Sequence, residues 1–192
     1  MTKILCTITF LGLMITNNGQ AQNKIYGGVK ISPNYSIITD KVDKLKSGIG
    51  YGFGYFEVLE LENKINLQAE INYVNNTFIS DQSSGTIKKT ITTNNNSIEI
   101  PFMIKYRPSD NFSIGLGYHL SFIPSTSEKT KETGMADSKI DQDGIKSNGF
   151  FLDANAKTSK AIIGLRILKT NKSLIDPLNS INASFYVGFA IF

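Results

Sequence analysis

Apolar and polar side chains alternate with a period of two in at least three segments of the chain. From Lys64 to Tyr73 the odd positions are Ile65, Leu67, Ala69, Ile71 and Tyr73, and the even ones are Lys64, Asn66, Gln68, Glu70 and Asn72. From Ser97 to Arg107 the apolar set is Ile98, Ile100, Phe102, Ile104 and Tyr106, opposite Ser97, Glu99, Pro101, Met103, Lys105 and Arg107. From Phe112 to Phe122 it is Phe112, Ile114, Leu116, Tyr118, Leu120 and Phe122, opposite Ser113, Gly115, Gly117, His119 and Ser121. A helix would scatter these sets around its axis, whereas a strand sends successive side chains to opposite faces. One face in oil and one in polar surroundings is what such runs require, and each is close to the ~9 to 11 tilted residues with which a strand crosses a bilayer.

Carried along the chain, the pattern predicts eight strands near 24–34, 47–59, 64–77, 91–107, 111–123, 149–157, 160–169 and 181–192. Their connections alternate between tight and long. The tight ones are Glu60 to Asn63, Pro108 to Asp110, and Thr158 with Ser159; the long ones are Tyr35 to Lys46, Phe78 to Thr90, Pro124 to Asn148, and Thr170 to Ser180. The predicted fold is all-β: an eight-stranded antiparallel transmembrane β-barrel, an up-and-down meander, with tight turns and both ends of the barrel domain on the periplasmic side. Tyr106, Phe112 and Phe192 would then mark the periplasmic interface, and Phe122 and Phe150 the opposite one. A soluble β-sandwich with ordinary core aromatics is the alternative.

Composition fits this class. Hydrophobic residues make up 41% of the chain and mean hydropathy is −0.10, values unremarkable for a soluble domain, because a barrel hides its hydrophobicity in alternation. The N-terminus carries Lys3, an apolar stretch from Ile4 to Ile15, and small residues at Gly19 and Ala21, the layout of a secretory signal peptide. Residues 1–21 are expected to be removed, leaving 22–192 as the barrel domain. The single cysteine, Cys6, lies inside the apolar stretch rather than after it, so it suits neither a lipoprotein anchor nor a disulfide in the mature chain. The net charge of +4 falls to +3 without Lys3, too little and too dispersed for nucleic-acid binding.

The chain resembles the small outer-membrane β-barrel family often labelled porin-like or PorT-like. The resemblance rests on Gly27-Gly28-Val29-Lys30, on Gln68 to Tyr73, on Ile98 to Tyr106, on the glycine-bearing fifth strand and on the terminal Phe192. It implies residence in the outer membrane of a Gram-negative envelope, in contact with lipid and lipopolysaccharide. It also implies that Phe192 serves as an assembly signal for the barrel-assembly machinery. Phe185, Val187, Phe189 and Ile191 fall on the face opposite to Phe192, which departs from the family's pattern in the last strand.

Eight strands enclose an interior that side chains can fill, whereas aqueous channels belong to much larger barrels. The inward set includes Lys30, Glu70, Glu99, Lys105, Arg107, Asp153, Lys157 and Arg166, and opposite charges in so narrow a lumen are expected to pair. Gly48, Gly50, Gly52 and Gly54 share one face of the second strand; without a following helix or a Lys-Ser/Thr pair they are no phosphate loop, and they are expected to make room for Lys105 or Arg166. His119 and Ser121 share a face, as in a His-x-Ser hydrolase pair with Glu128 or Glu132 nearby, but alternation points them into the lumen, away from any lipid substrate. Asp137, Asp141, Asp143 and Gly144 echo a calcium loop in which Lys139 occupies an acidic position.

No cofactor, metal or catalytic residue is therefore assigned. The expected function is a non-enzymatic barrel, structural or binding a ligand or an envelope or secretion partner through its external loops. The alternatives are a small-solute porin or gated conduit and, more remotely, a lipid A deacylase-like hydrolase.

Overall fold

The computed structural model describes residues 24–38, 45–46, 48–61, 64–84, 87–132, 138–142, 145–171 and 180–191, all as strands and the turns between them. In chain order the strands are β1 (Lys24–Ile38), β2 (Leu45–Lys46), β3 (Gly48–Glu60), β4 (Ile65–Ser84), β5 (Ile87–Ser109), β6 (Phe112–Glu132), β7 (Ser138–Gln142), β8 (Ile145–Lys157), β9 (Ala161–Asn171) and β10 (Ser180–Ala190). Eight of them form a ring. β1 pairs with β3, β3 with β4, β4 with β5, β5 with β6, β6 with β8, β8 with β9, β9 with β10, and β10 closes back onto β1, every pair antiparallel. Closure removes the free sheet edges that lipid cannot satisfy.

The alternation decides which face is which. Ile25, Val29, Ile49, Phe53, Ile71, Ile104, Leu116, Leu152, Leu165 and Phe189 stand exposed on the outside, while Tyr26, Lys30, Phe56, Glu70, Met103, Lys105, Asp153 and Arg166 are buried in the lumen. Tyr106, Phe112, Phe122 and Phe150 lie on the outer face, as a girdle requires. On β10 Phe185 and Phe189 face outward with Tyr186 and Gly188 inside, and Ile191, just past its end, is exposed as well. Phe192 and the N-terminal segment lie outside the described residues.

The tight connections lie within a residue or two of where the pattern placed them: β5 runs on through Pro108 and Ser109 so that the second turn is Asp110 with Asn111, and Lys160 joins Thr158 and Ser159 in the third. Lys64 belongs to the first turn rather than to a strand: it takes a left-handed φ of 64°, while Leu61 N–H donates to the Ile65 carbonyl at 2.8 Å. The Lys64 ammonium caps the neighbouring turn by donating to the Pro108 carbonyl at 3.2 Å.

Two of the predicted long loops are mostly strand. β4, β5 and β6 contain 20, 23 and 21 residues, about twice what a bilayer needs. Their inner ends are fixed at the tight turns, so the surplus, roughly 10 residues or ~30 Å of strand, rises on the outer side. There β4 and β5 stay paired out to Ser84 and Ile87, β5 and β6 out to Lys89 and Glu132, and β2 and β7 add short flanking pairs. Outside the bilayer neither face meets lipid, so the ladder continues without the alternation that marks it below. Tyr73 and Asn75 both donate to Asn96 Oδ1, at 2.9 and 2.7 Å, and Thr77 donates to Asn94 Oδ1 at 2.8 Å.

Candidate functional site

The lumen is built in layers. At the periplasmic mouth Glu60 accepts from Arg107 at 2.9 Å and pairs with Lys157 at 3.5 Å, and the Lys157 ammonium lies 3.6 Å from the centre of the Tyr26 ring. Above this, Tyr26, Phe56, Val58, Ile162 and Tyr186 pack into a buried apolar cluster. Gly28 and Gly188 face the Phe56 ring from β1 and β10, and a Cβ on Gly28 would collide with it.

Over that layer lies an ion network drawn from five strands. Glu70 Oε1 accepts from Gln68 at 2.6 Å and from Arg166 Nη2 at 2.8 Å; its Oε2 accepts from Lys30 at 2.6 Å, Arg166 Nη1 at 2.8 Å and Asn72 at 3.0 Å. The Arg166–Glu70 pair is thus bidentate, the strongest form of this contact. The other edge of the guanidinium reaches Asp153 Oδ2, from Nε at 3.0 Å and Nη2 at 2.9 Å. Asp153 Oδ1 accepts from Lys105 at 2.7 Å, Tyr186 at 3.0 Å and Asn155 at 3.3 Å. Arg166 also stacks 4.5 Å from the centre of Phe151, so its faces as well as its N–H groups are occupied.

Cross-strand register explains how Lys105 reaches Asp153. Lys105 pairs with Gly115, and Gly115 with Asp153, so the lysine must cross β6. It crosses over a missing side chain: a Cβ on Gly115 would stand 2.6 Å from Lys105 Cγ. The glycine face of β3 does something different from what the sequence suggested. Gly52 and Gly54 border Ser32 and Asn72 and the β4 backbone, rather than Lys105 or Arg166.

Of the charged residues singled out from sequence, Lys30, Glu70, Lys105, Asp153 and Arg166 share this network. Arg107 belongs to the mouth cluster with Lys157. Glu99 lies above the network, beside Ser97 at 3.4 Å and His119 Nδ1 at 3.9 Å, on a cavity of about 40 Å³ that it shares with Lys30, Asn72 and Arg166. That volume suits one or a few water molecules. Sequence reasoning missed Gln68, Asn72, Asn155, Tyr186 and Glu60; all but Tyr186 are polar positions on inward faces, and Tyr186 could have been found from the aromatic that breaks the outer set of β10.

His119 and Ser121 are 3% and 8% exposed and face the lumen, so neither reaches a lipid. The Asp137, Asp143 and Gly144 positions of the calcium-like segment lie outside the described residues.

A closed eight-stranded ring with an apolar outer belt and an ionic lumen is the architecture of an outer-membrane barrel. The family model described as "Outer membrane protein beta-barrel domain" matches residues 19–190. The chain belongs to the outer membrane protein beta-barrel domain family. It is accordingly a protein of the Gram-negative outer membrane. Among solved structures, this family member is similar to Ail of Yersinia pestis, solved with the heparin analogue sucrose octasulfate: 10% identity over 88% of this chain and 99% of that one, TM-score 0.49. It is also similar to Neisserial surface protein A, with 13% identity over 87% and 97% and TM-score 0.48. The N-terminal barrel domain of Pseudomonas aeruginosa OprF shares 10% identity over 88% and 100%, TM-score 0.46. No curated protein matches the sequence.

Proposed function

We propose that this outer-membrane barrel is a plugged, non-enzymatic scaffold that works through what it carries outside the membrane, binding a ligand or envelope partner there. The lumen supports this reading most directly. The Arg166 network and the apolar layer of Tyr26, Phe56, Val58, Ile162 and Tyr186 are stacked across it, and the cavity above them is only about 40 Å³. A conduit needs a continuous path, and moving any one of these charges alone would leave its partners buried and unpaired. The outward continuation of β4, β5 and β6 supplies the surface: a small sheet standing beyond the bilayer on a rigid base.

The test is single-channel conductance of the refolded chain in planar bilayers, with folding checked by heat-modifiable mobility on a gel. A folded and silent barrel is expected. Steady conductance steps would overturn the reading in favour of a small-solute conduit.

A further inference from the structure

Among the described residues two carboxylate or ammonium side chains stand on the outward face of the wall: Lys169 of β9, paired with Phe150 of the girdle, and Glu57 of β3. The outward set of β3 runs Ile49, Tyr51, Phe53, Tyr55, Glu57 and Leu59. Glu57 pairs across the sheet with Gly27 on one side and Ala69 on the other, both small, so the wall is recessed around it. With Leu67, Ala69, Phe102, Ile104 and Leu116 it lines a mainly apolar cavity of about 480 Å³ on the outer surface, bordered also by Gln68 and Tyr118. Its depth follows from the register. Tyr106, in the girdle at the tight-turn end, pairs with Ile65, and Ala69 lies four residues further along β4. At ~3.3 Å per residue and a tilt of ~40° Ala69 lies ~10 Å above Ile65, but the pairing path from Gly27 round to Ile37 climbs ~3 Å per strand, which sets Tyr106 above Ile65 and Glu57 below Ala69, so that Glu57 lies only about 4 Å inside the girdle. At that depth the carboxylate borders the apolar belt on one side and the lipid headgroups on the other. The Glu57 carboxylate interacts with the Tyr55 phenol two residues along the same face, and no cation among the described residues pairs with it.

We propose that this recess binds an amine-bearing phospholipid of the periplasmic leaflet, with one acyl chain lying along Leu67, Phe102 and Leu116 and the lipid ammonium donating to the Glu57 carboxylate. The charge selects a cation, and a primary ammonium offers N–H donors that a quaternary one lacks. The carboxylate lies in the half of the membrane nearest the tight turns, and its side chain can extend toward the headgroups of that leaflet. A concave apolar trough suits a single chain, whereas a second barrel would present a convex wall.

The experiment is native mass spectrometry of the protein released from nanodiscs containing equal amounts of phosphatidylethanolamine and phosphatidylcholine with matched chains. The wild type is expected to retain phosphatidylethanolamine in preference by about tenfold, the size of one charge-assisted hydrogen bond. Glu57→Gln should lose that preference. Ala69→Leu, which fills the trough and leaves Glu57 in place, should lower retention of both lipids; each variant is checked for heat-modifiable folding. An unselective wild type, a preference that survives Glu57→Gln, or a Glu57-dependent protein dimer free of lipid would each overturn the proposal.

Discussion

Replacing Glu70 by leucine removes the acceptor of five hydrogen bonds, leaves Lys105 and Arg166 sharing the Asp153 carboxylate, and takes from Lys30 its ion-pair partner. Summed as separate charged hydrogen bonds, at about 1.5–3 kcal/mol each, the loss would be far too large, because the five share one acceptor group and are not additive. Two of the donors are also neutral, and Asn72 borders the small cavity where water can replace the carboxylate. The governing quantity is the breaking of a buried ion pair from one side, about 3–5 kcal/mol. We therefore expect Glu70→Leu to destabilise the barrel by about 4 kcal/mol, close to three decades in the folded-to-unfolded ratio. The chain has no tryptophan, so unfolding in lipid vesicles is followed by heat-modifiable mobility against urea. With a slope of about 2 kcal/mol/M the midpoint should fall by about 2 M. Adding Lys30→Met removes one of the unpaired cations and should restore at least ~1 kcal/mol, a coupling expected only of residues in one network. A Glu70→Leu variant within ~1 kcal/mol of wild type, or strictly additive losses in the double variant, would refute the network as the source of lumen stability.

Gly115→Val should break the Lys105–Asp153 pair without removing either charge, since the new side chain would occupy the path of the lysine stem; a loss of about 2–4 kcal/mol in the same urea assay is expected, and a neutral result would mean that the lysine has another route. Leu116→Arg, at a position 67% exposed on the lipid face, should cost about 2–4 kcal/mol in bilayers, whereas Asn111→Arg in the exposed turn should cost under ~0.5 kcal/mol; equal effects would contradict the placement of the belt.

The bilayer explains which parts of this protein were legible in its sequence. A wall one residue thick with oil outside forces period-two alternation, so the sequence alone determined the strand class, the eight spanning segments, the tight turns and the facing of Lys30, Glu70, Lys105, Asp153 and Arg166. Beyond the bilayer that constraint lapses, and there the sequence was read as loop where β4, β5 and β6 continue as paired strand. Inside the lumen, alternation says only that a side chain points inward. Which cation meets which carboxylate depends on the stagger between strands far apart in the chain: it placed Arg166 between Glu70 and Asp153, sent Arg107 to Glu60, left Glu99 beside His119, and led Lys105 across Gly115. The same stagger put Gly27 and Ala69 on either side of Glu57. Facing is a local property of the backbone and is written in single strands; pairing is a property of the closed ring, and only the tertiary structure decided it.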